Sequence, residues 1–123
     1  MIVYLHSKCS TCQKALRYLE SKKIAVTLKD IVTEPPSIKE LQKMLNFQNG
    51  NVNKLLNTSG QLYREMQLSQ KLKEMPTEEV LALLSQHGML IKRPFLLDDK
   101  FGLTGFKETE WSQKIAFTRK VSK

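Results

Sequence analysis

The sequence predicts an α/β fold that runs β-α-β, then a mostly helical stretch over about 37–88, then β-β-α. Three observations lead to it. A continuous run of β-formers, Ile2-Val3-Tyr4-Leu5, suits a strand buried on both faces. Cys12, Ala15, Leu16 and Leu19 then recur at the spacing of one helix face. Strand character returns in the alternation of Ile24, Val26 and Leu28, and again at Phe95-Leu96-Leu97. A β-α-β start this short implies a parallel pair joined by a right-handed crossover.

Taken in order, the first helix is expected over 10–22 and the second strand over 24–29. Pro35-Pro36 then forbids a continuing strand or helix. Ser37 is a good N-cap for a helix carrying Ile38, Leu41 and Leu45, and Glu40 completes a capping box. The stretch 47–60 is rich in turn formers around a short apolar piece at 52–56. Helical segments are expected over 61–66 and 69–73. Thr77 is expected to cap another helix, with Glu78 and Glu79 in its first turn and Val80, Leu81, Leu83 and Leu84 on its buried side. Gly88 is placed to end that helix in a left-handed conformation. After the strand at Phe95, a turn at Asp98-Asp99-Lys100 leads to a strand over 101–105 and a closing helix over 106–117, in which Trp111 and Ile115 lie one turn apart. No repeat, low-complexity segment or linker interrupts the chain, so 1–123 reads as one domain with the helical stretch as an insertion.

Composition narrows the class. A chain of 123 residues, 41% apolar and 26% charged, suits one soluble globular domain with a real core. No apolar run approaches the ~18 residues of a membrane span, and the N-terminal apolar run is too short for a signal peptide. Cytoplasm is the expected location. The net charge of +8 comes from 20 Lys and Arg against 12 Asp and Glu. Lysines are scattered over helix faces and thicken only at Lys114, Arg119, Lys120 and Lys123, which favours general solubility over an acidic partner. Without a recognition-helix motif, direct nucleic-acid binding is not expected.

The chemistry concentrates in His6-Ser7-Lys8-Cys9-Ser10-Thr11-Cys12-Gln13-Lys14, which holds both cysteines of the chain. A thiol just before a helix meets the unpaired N–H groups of the first turn and the positive end of the dipole, which favour thiolate. Lys8 and Lys14 add positive charge on either side. Cys9 is therefore the candidate nucleophile, and Cys12, one turn inside the helix, the candidate resolving thiol. Inert thiols and a metal site are the other readings. Zinc would need two further ligands, and His6 and His87 are the only histidines. Arg93, directly before Pro94, could stabilise a thiolate or grip an oxyanion in a bidentate fork, or be a solvated surface residue. Asn57-Thr58-Ser59-Gly60 could offer donors to an anion or simply stop and cap a helix. Arg64 could pair with Glu65 or Glu40, and Trp111 reads as a core-edge residue rather than a binding platform.

Four blocks in register carry a resemblance. Cys9-Ser10-Thr11-Cys12-Gln13-Lys14-Ala15, Asn57-Thr58-Ser59-Gly60-x-x-Tyr63-Arg64-Glu65, Gly88-Met89-Leu90-Ile91-Lys92-Arg93-Pro94 and Gly105-Phe106-Lys107-Glu108-x-Glu110-Trp111 together resemble the arsenate-reductase-like family, which also contains the Spx-type transcriptional regulators. The resemblance implies a thioredoxin-like fold with a mixed four-stranded sheet, a cis Pro94 near Cys9, and Arg93 facing the site. It also implies a catalytic cysteine, several oxyanion-binding arginines and glutathione, a glutaredoxin or a thioredoxin as electron donor, with no bound cofactor. Arg93 matches one of the arginines, Asn57 stands at a second such position, and Phe106-Lys107 at the third. The Spx-type branch instead implies a redox-sensing Cys pair on a protein that binds RNA polymerase.

Overall fold

Ile2–Leu5 forms strand β1, with Val3 and Tyr4 buried, as its continuous apolar run requires. The computed structural model describes residues 1–121, with side chains placed as far as Ala116. After β1 come helix α1 (Ser10–Ser21) and strand β2 (Thr27–Asp30). Helix α2 (Ile38–Phe47), a 3-10 turn (Val52–Leu55), the short helices α3 (Gln61–Glu65) and α4 (Leu68–Lys71), helix α5 (Thr77–Gln86) and a second 3-10 turn (Gly88–Leu90) follow. Strands β3 (Phe95–Leu97) and β4 (Gly102–Thr104) and helix α6 (Glu108–Val121) close the order. Of the expected basic tail, Arg119, Lys120 and Lys123 lie outside the described side chains.

The four strands make one mixed sheet in the order β2-β1-β3-β4. β1 runs parallel to β2, with Val3 opposite Leu28, and antiparallel to β3, with Val3 opposite Leu96. β3 and β4 are antiparallel. Side chains alternate across a strand, so the two faces feed two cores. Val3, Leu96 and Leu103 pack against α1 and α6 through Ala15, Leu19, Trp111 and Ile115. Tyr4, Phe95 and Leu97 pack on the other face against Leu41, Met44, Leu81 and Leu84 of α2 and α5. Each fully buried large apolar side chain contributes roughly 1.5–3 kcal/mol.

The capping box at Ser37 forms as expected: Ser37 Oγ accepts the Glu40 N–H at 3.1 Å, and Glu40 Oε1 accepts the Ser37 N–H at 3.0 Å. The same Oε1 accepts the hydroxyl of buried Tyr4 at 2.8 Å, which ties α2 to the central strand.

Several boundaries differ from expectation, each for a local reason. β2 starts at Thr27 because Ile24 belongs to the end of α1. Lys23 takes φ +53 and donates to Glu20 C=O, while Ile24 N–H reaches Leu19 C=O at 3.0 Å, closing the helix with Ile24 packed beside Leu19. α4 begins at Leu68 after left-handed Gln67. Thr77 is the first helical residue of α5 rather than its cap; Pro76 stands at the cap and makes no side-chain bond. Gly88 is not left-handed. It opens the second 3-10 turn, and glycine is required there because a Cβ would fall 1.8 Å from the Ile31 carbonyl oxygen. The last strand is confined to 102–104, and the last helix starts at Glu108, two residues later than expected.

Candidate active site

The turn between β1 and α1 holds Cys9 at the N-cap of α1 with extended φ −93, ψ 116. The turn is pinned from both sides. Cys9 N–H donates to His6 C=O at 3.1 Å, and Gln13 Nε2 donates to Ser7 C=O at 3.1 Å. In this geometry Cys9 Sγ accepts the backbone N–H of Cys12 at 3.3 Å. The sulfur thus takes the capping role that a Ser or Asp oxygen usually fills, and meets the positive end of the helix dipole. Cys9 is partly exposed and Cys12 is 2% exposed; both are free thiols.

The two thiols are driven apart. At Cys9, burial opposes the charged form but is outweighed by hydrogen bonds from the Cys12 thiol and N–H and by the Arg93 guanidinium, so its pKa is lowered. At Cys12, burial and the hydrogen bond to Cys9 push the thiol up to about 12.

Arg93 arrives from the far end of the chain. Leu56 and Ile91 form an antiparallel bridge, and Lys92 N–H donates to Leu55 C=O at 2.9 Å. This sets the segment that leads into the cis Arg93–Pro94 peptide and β3. Pro94 is buried, and its carbonyl accepts the Gly105 N–H at 2.9 Å. Arg93 Nη1 donates to Met89 C=O at 3.3 Å, while its buried Nε has no protein partner. Asn57 Nδ2 reaches the same carbonyl at 3.5 Å. One backbone oxygen therefore orients both side chains beside a cleft of about 260 Å³, lined by Cys9, Thr11, Asn57, Lys92, Arg93 and Gly105.

Cys9, Asn57 and Arg93 are thus brought together, with Cys12 buried beneath the N-terminus of α1. Lys8 is exposed and absent from the cleft lining, and Lys14 lies in a separate hollow with Arg17 and Tyr18. The cation that faces the sulfur is Arg93, not either of these lysines. Gly60 opens α3 without a side-chain cap bond, and Ser59 Oγ donates to Asn57 Oδ1 at 3.4 Å. Among the described residues Arg64 forms no ion pair with Glu65 or Glu40. Trp111 is fully buried; its Nε1–H donates to Gly105 C=O at 3.1 Å and so holds the cleft wall from within the core.

Sequence reasoning assigned no role to Thr11, Lys92, Gly105 or the Met89 carbonyl. Thr11 had a signal, lying between the two cysteines; Met89 acts through a backbone oxygen, which no side-chain pattern reveals. Among the described residues no group of three or more His, Cys, Asp or Glu side chains is placed to hold a metal ion, and no helix is long and apolar enough to cross a membrane.

Comparison with known proteins gives a consistent picture. The profile of the ArsC family matches residues 4–114. The chain is 39% identical to the uncharacterized protein YusI of Bacillus subtilis, over 92% of this chain and 96% of that protein. It is 26% identical to the global transcriptional regulator Spx of the same organism, over 88% of this chain and 81% of Spx. The crystal structure of an ArsC family related protein from Bacteroides fragilis superimposes with a TM-score of 0.85 at 40% identity, covering 91% of this chain and 94% of that one. The fold is the thioredoxin-like one that the four sequence blocks implied.

Proposed function

Because the chain belongs to the ArsC family, we propose that it is a thiol–disulfide oxidoreductase in which Cys9 is the nucleophile and Cys12 the resolving thiol. The observation that carries this reading is the geometry of the pair: partly exposed Cys9 Sγ caps α1 by accepting the Cys12 N–H at 3.3 Å, while Cys12 is 2% exposed, an arrangement that lowers the Cys9 pKa and raises that of Cys12. The Cys9 thiolate attacks one sulfur of a disulfide, forms a mixed disulfide and expels the other sulfur as a thiolate. Cys12 loses its proton and attacks Cys9 Sγ, which releases the second thiol and leaves a Cys9–Cys12 disulfide. Two electrons have then passed to the substrate, and glutathione, a glutaredoxin or a thioredoxin in the cytoplasm restores the dithiol. In this reading residues 1–123 act as one domain, and the insertion over about 37–88 supplies Asn57 to the cleft. Arg93 and Asn57, which line the cleft, bind substrate, while Lys8 and Pro94 lie outside its lining.

A protein or glutathione disulfide fits this cleft better than arsenate. Its lining offers one guanidinium, Arg93, beside Asn57 and Lys92. Neither neighbour presents a second bidentate fork to a tetrahedral oxyanion. Disulfide reduction and arsenate reduction, each measured with glutathione plus glutaredoxin and with thioredoxin, separate the two substrates. Activity on arsenate alone would overturn the preference for a disulfide.

The 26% likeness to Spx supports a second reading, in which the same Cys pair senses oxidants on a regulator that binds RNA polymerase. A pull-down with purified polymerase in the reduced and oxidised states tests it. Failure to associate in both states eliminates it.

A further inference from the structure

The charge around the Cys9 cleft is lopsided. On one side the cleft continues into a groove of about 400 Å³ that includes Leu62, Met89, Gln61 and Glu65. On the other side Lys92 is shared with a small hollow of about 60 Å³ that also includes Lys54, Lys107 and Glu110. The ion pairs among the described residues join the Met1 amine to Asp98 and Lys43 to Asp99, so these three lysines meet no carboxylate at salt-bridge distance.

Backbone contacts build this arrangement from three parts of the chain. Lys92 N–H donates to Leu55 C=O at 2.9 Å, and Thr104 Oγ1 donates to Lys54 C=O at 2.7 Å, which binds the first 3-10 turn to β4 and to the segment before Pro94. Gly105 takes φ +73, and a Cβ there would meet Lys92 Cε at 3.0 Å. Glycine therefore leaves room for the Lys92 side chain to lie across the loop between the two hollows. A space of about 60 Å³ holds about two waters. It suits one carboxylate at a time rather than a whole small molecule.

Resting on the thiol–disulfide reading above, we infer that Lys92, Lys54 and Lys107 form a docking strip for an acidic segment beside the target cysteine of a protein disulfide. Carboxylates of that segment lie along the lysines while its sulfur meets Cys9, and its uncharged flank lies toward Leu62 and Met89. The strip then selects among protein disulfides by charge and hastens encounter with those that carry Asp or Glu on the correct side.

Two synthetic peptides activated as thiopyridyl disulfides test this with the full chain. They differ only in carrying Asp and Glu, or Asn and Gln, next to the cysteine. Cys9 attacks the peptide sulfur and releases thiopyridine, which is followed by absorbance. The acidic peptide is expected to react about tenfold faster at low ionic strength. The ratio should fall toward unity in ~1 M salt, where the screening length is about 3 Å. It should also fall toward unity in Lys54→Gln/Lys107→Gln and persist in Lys54→Arg/Lys107→Arg. Equal rates for the two peptides would overturn the inference. So would protection of Cys9 by a short oligonucleotide without any preference for the acidic peptide, which would assign the lysines to nucleic acid. Reaction of both peptides no faster than with a free thiol would overturn the nucleophile assignment itself, and this inference with it.

Discussion

The backbone N–H of Cys12 donates to Cys9 Sγ across 3.3 Å, so the two cysteines are linked through the start of α1 even while both are reduced. One residue caps the helix and the other supplies the cap's donor. The partly exposed sulfur receives the helix's free N–H, and the second sulfur is buried within the helix.

Arg93 should set the reactivity of Cys9 at neutral pH. The thiolate fraction rises with pH, and the Cys9 pKa is lowered, against its burial, by Cys12 and Arg93. Alkylation by iodoacetamide should therefore level off with a midpoint below that of a free thiol. Arg93→Ala removes the cation and moves the midpoint up, with a rate about tenfold lower at pH 7. Above both midpoints the two proteins should react alike. A pH–rate profile followed by mass spectrometry checks this, and an unmoved midpoint would show that Arg93 does not act on the sulfur.

Cys12→Ser should leave the first attack and stop the second. A disulfide substrate then accumulates as an adduct on Cys9, visible in the intact mass and removed by dithiothreitol. Cys9→Ser should form no adduct, because Cys12 is 2% exposed and its burial, the largest cause of its raised pKa, remains in that variant. Adduct formation on Cys12 in that variant would reverse the two roles.

Gly88→Ala should be among the most damaging single-methyl additions. Its Cβ would fall 1.8 Å from the Ile31 carbonyl oxygen, and backbone cannot give way as a flexible side chain can. The loss is expected to be about 3 kcal/mol in urea unfolding, at the upper end for overpacking. A change below about 1 kcal/mol would mean that the Ile31 segment moves freely.

Glu40 serves α2 and β1 together, so its loss should cost more than a cap alone. Glu40→Ala removes the side-chain arm of the capping box and leaves the buried Tyr4 hydroxyl without its partner, for about 3 kcal/mol in all. Glu40→Gln keeps an acceptor and should lose about half of that. Burial, then the bond to Glu40, raises the Tyr4 pKa above its ordinary 10.0. The unfolded chain therefore gives up this proton first, and the contribution present below pH 10 is lost as pH rises beyond it. Stability of the native chain should fall above pH 10 more steeply than that of Tyr4→Phe, as read by urea midpoints.

By itself the sequence determined the element order, the capping box at Ser37 and the place of Cys9 before α1. Periodicity, cap chemistry and cysteine spacing are local, and each is written within one or two helical turns. Ile24 shows where local reading fails, because a strand-like alternation was taken over by the C-terminal closure of α1. Gly88 shows the same from the other side: its reason is the Ile31 carbonyl, fifty-seven positions earlier in the chain. Only the tertiary structure decided which cation stands beside Cys9. Lys8 and Lys14 are its neighbours in sequence, yet neither lines the cleft. Arg93 reaches the sulfur because β3 pairs antiparallel to β1 and the Leu56–Ile91 bridge sets the segment before it. The cleft is made by contacts between distant strands and turns, and such contacts have no signature in any short stretch of residues.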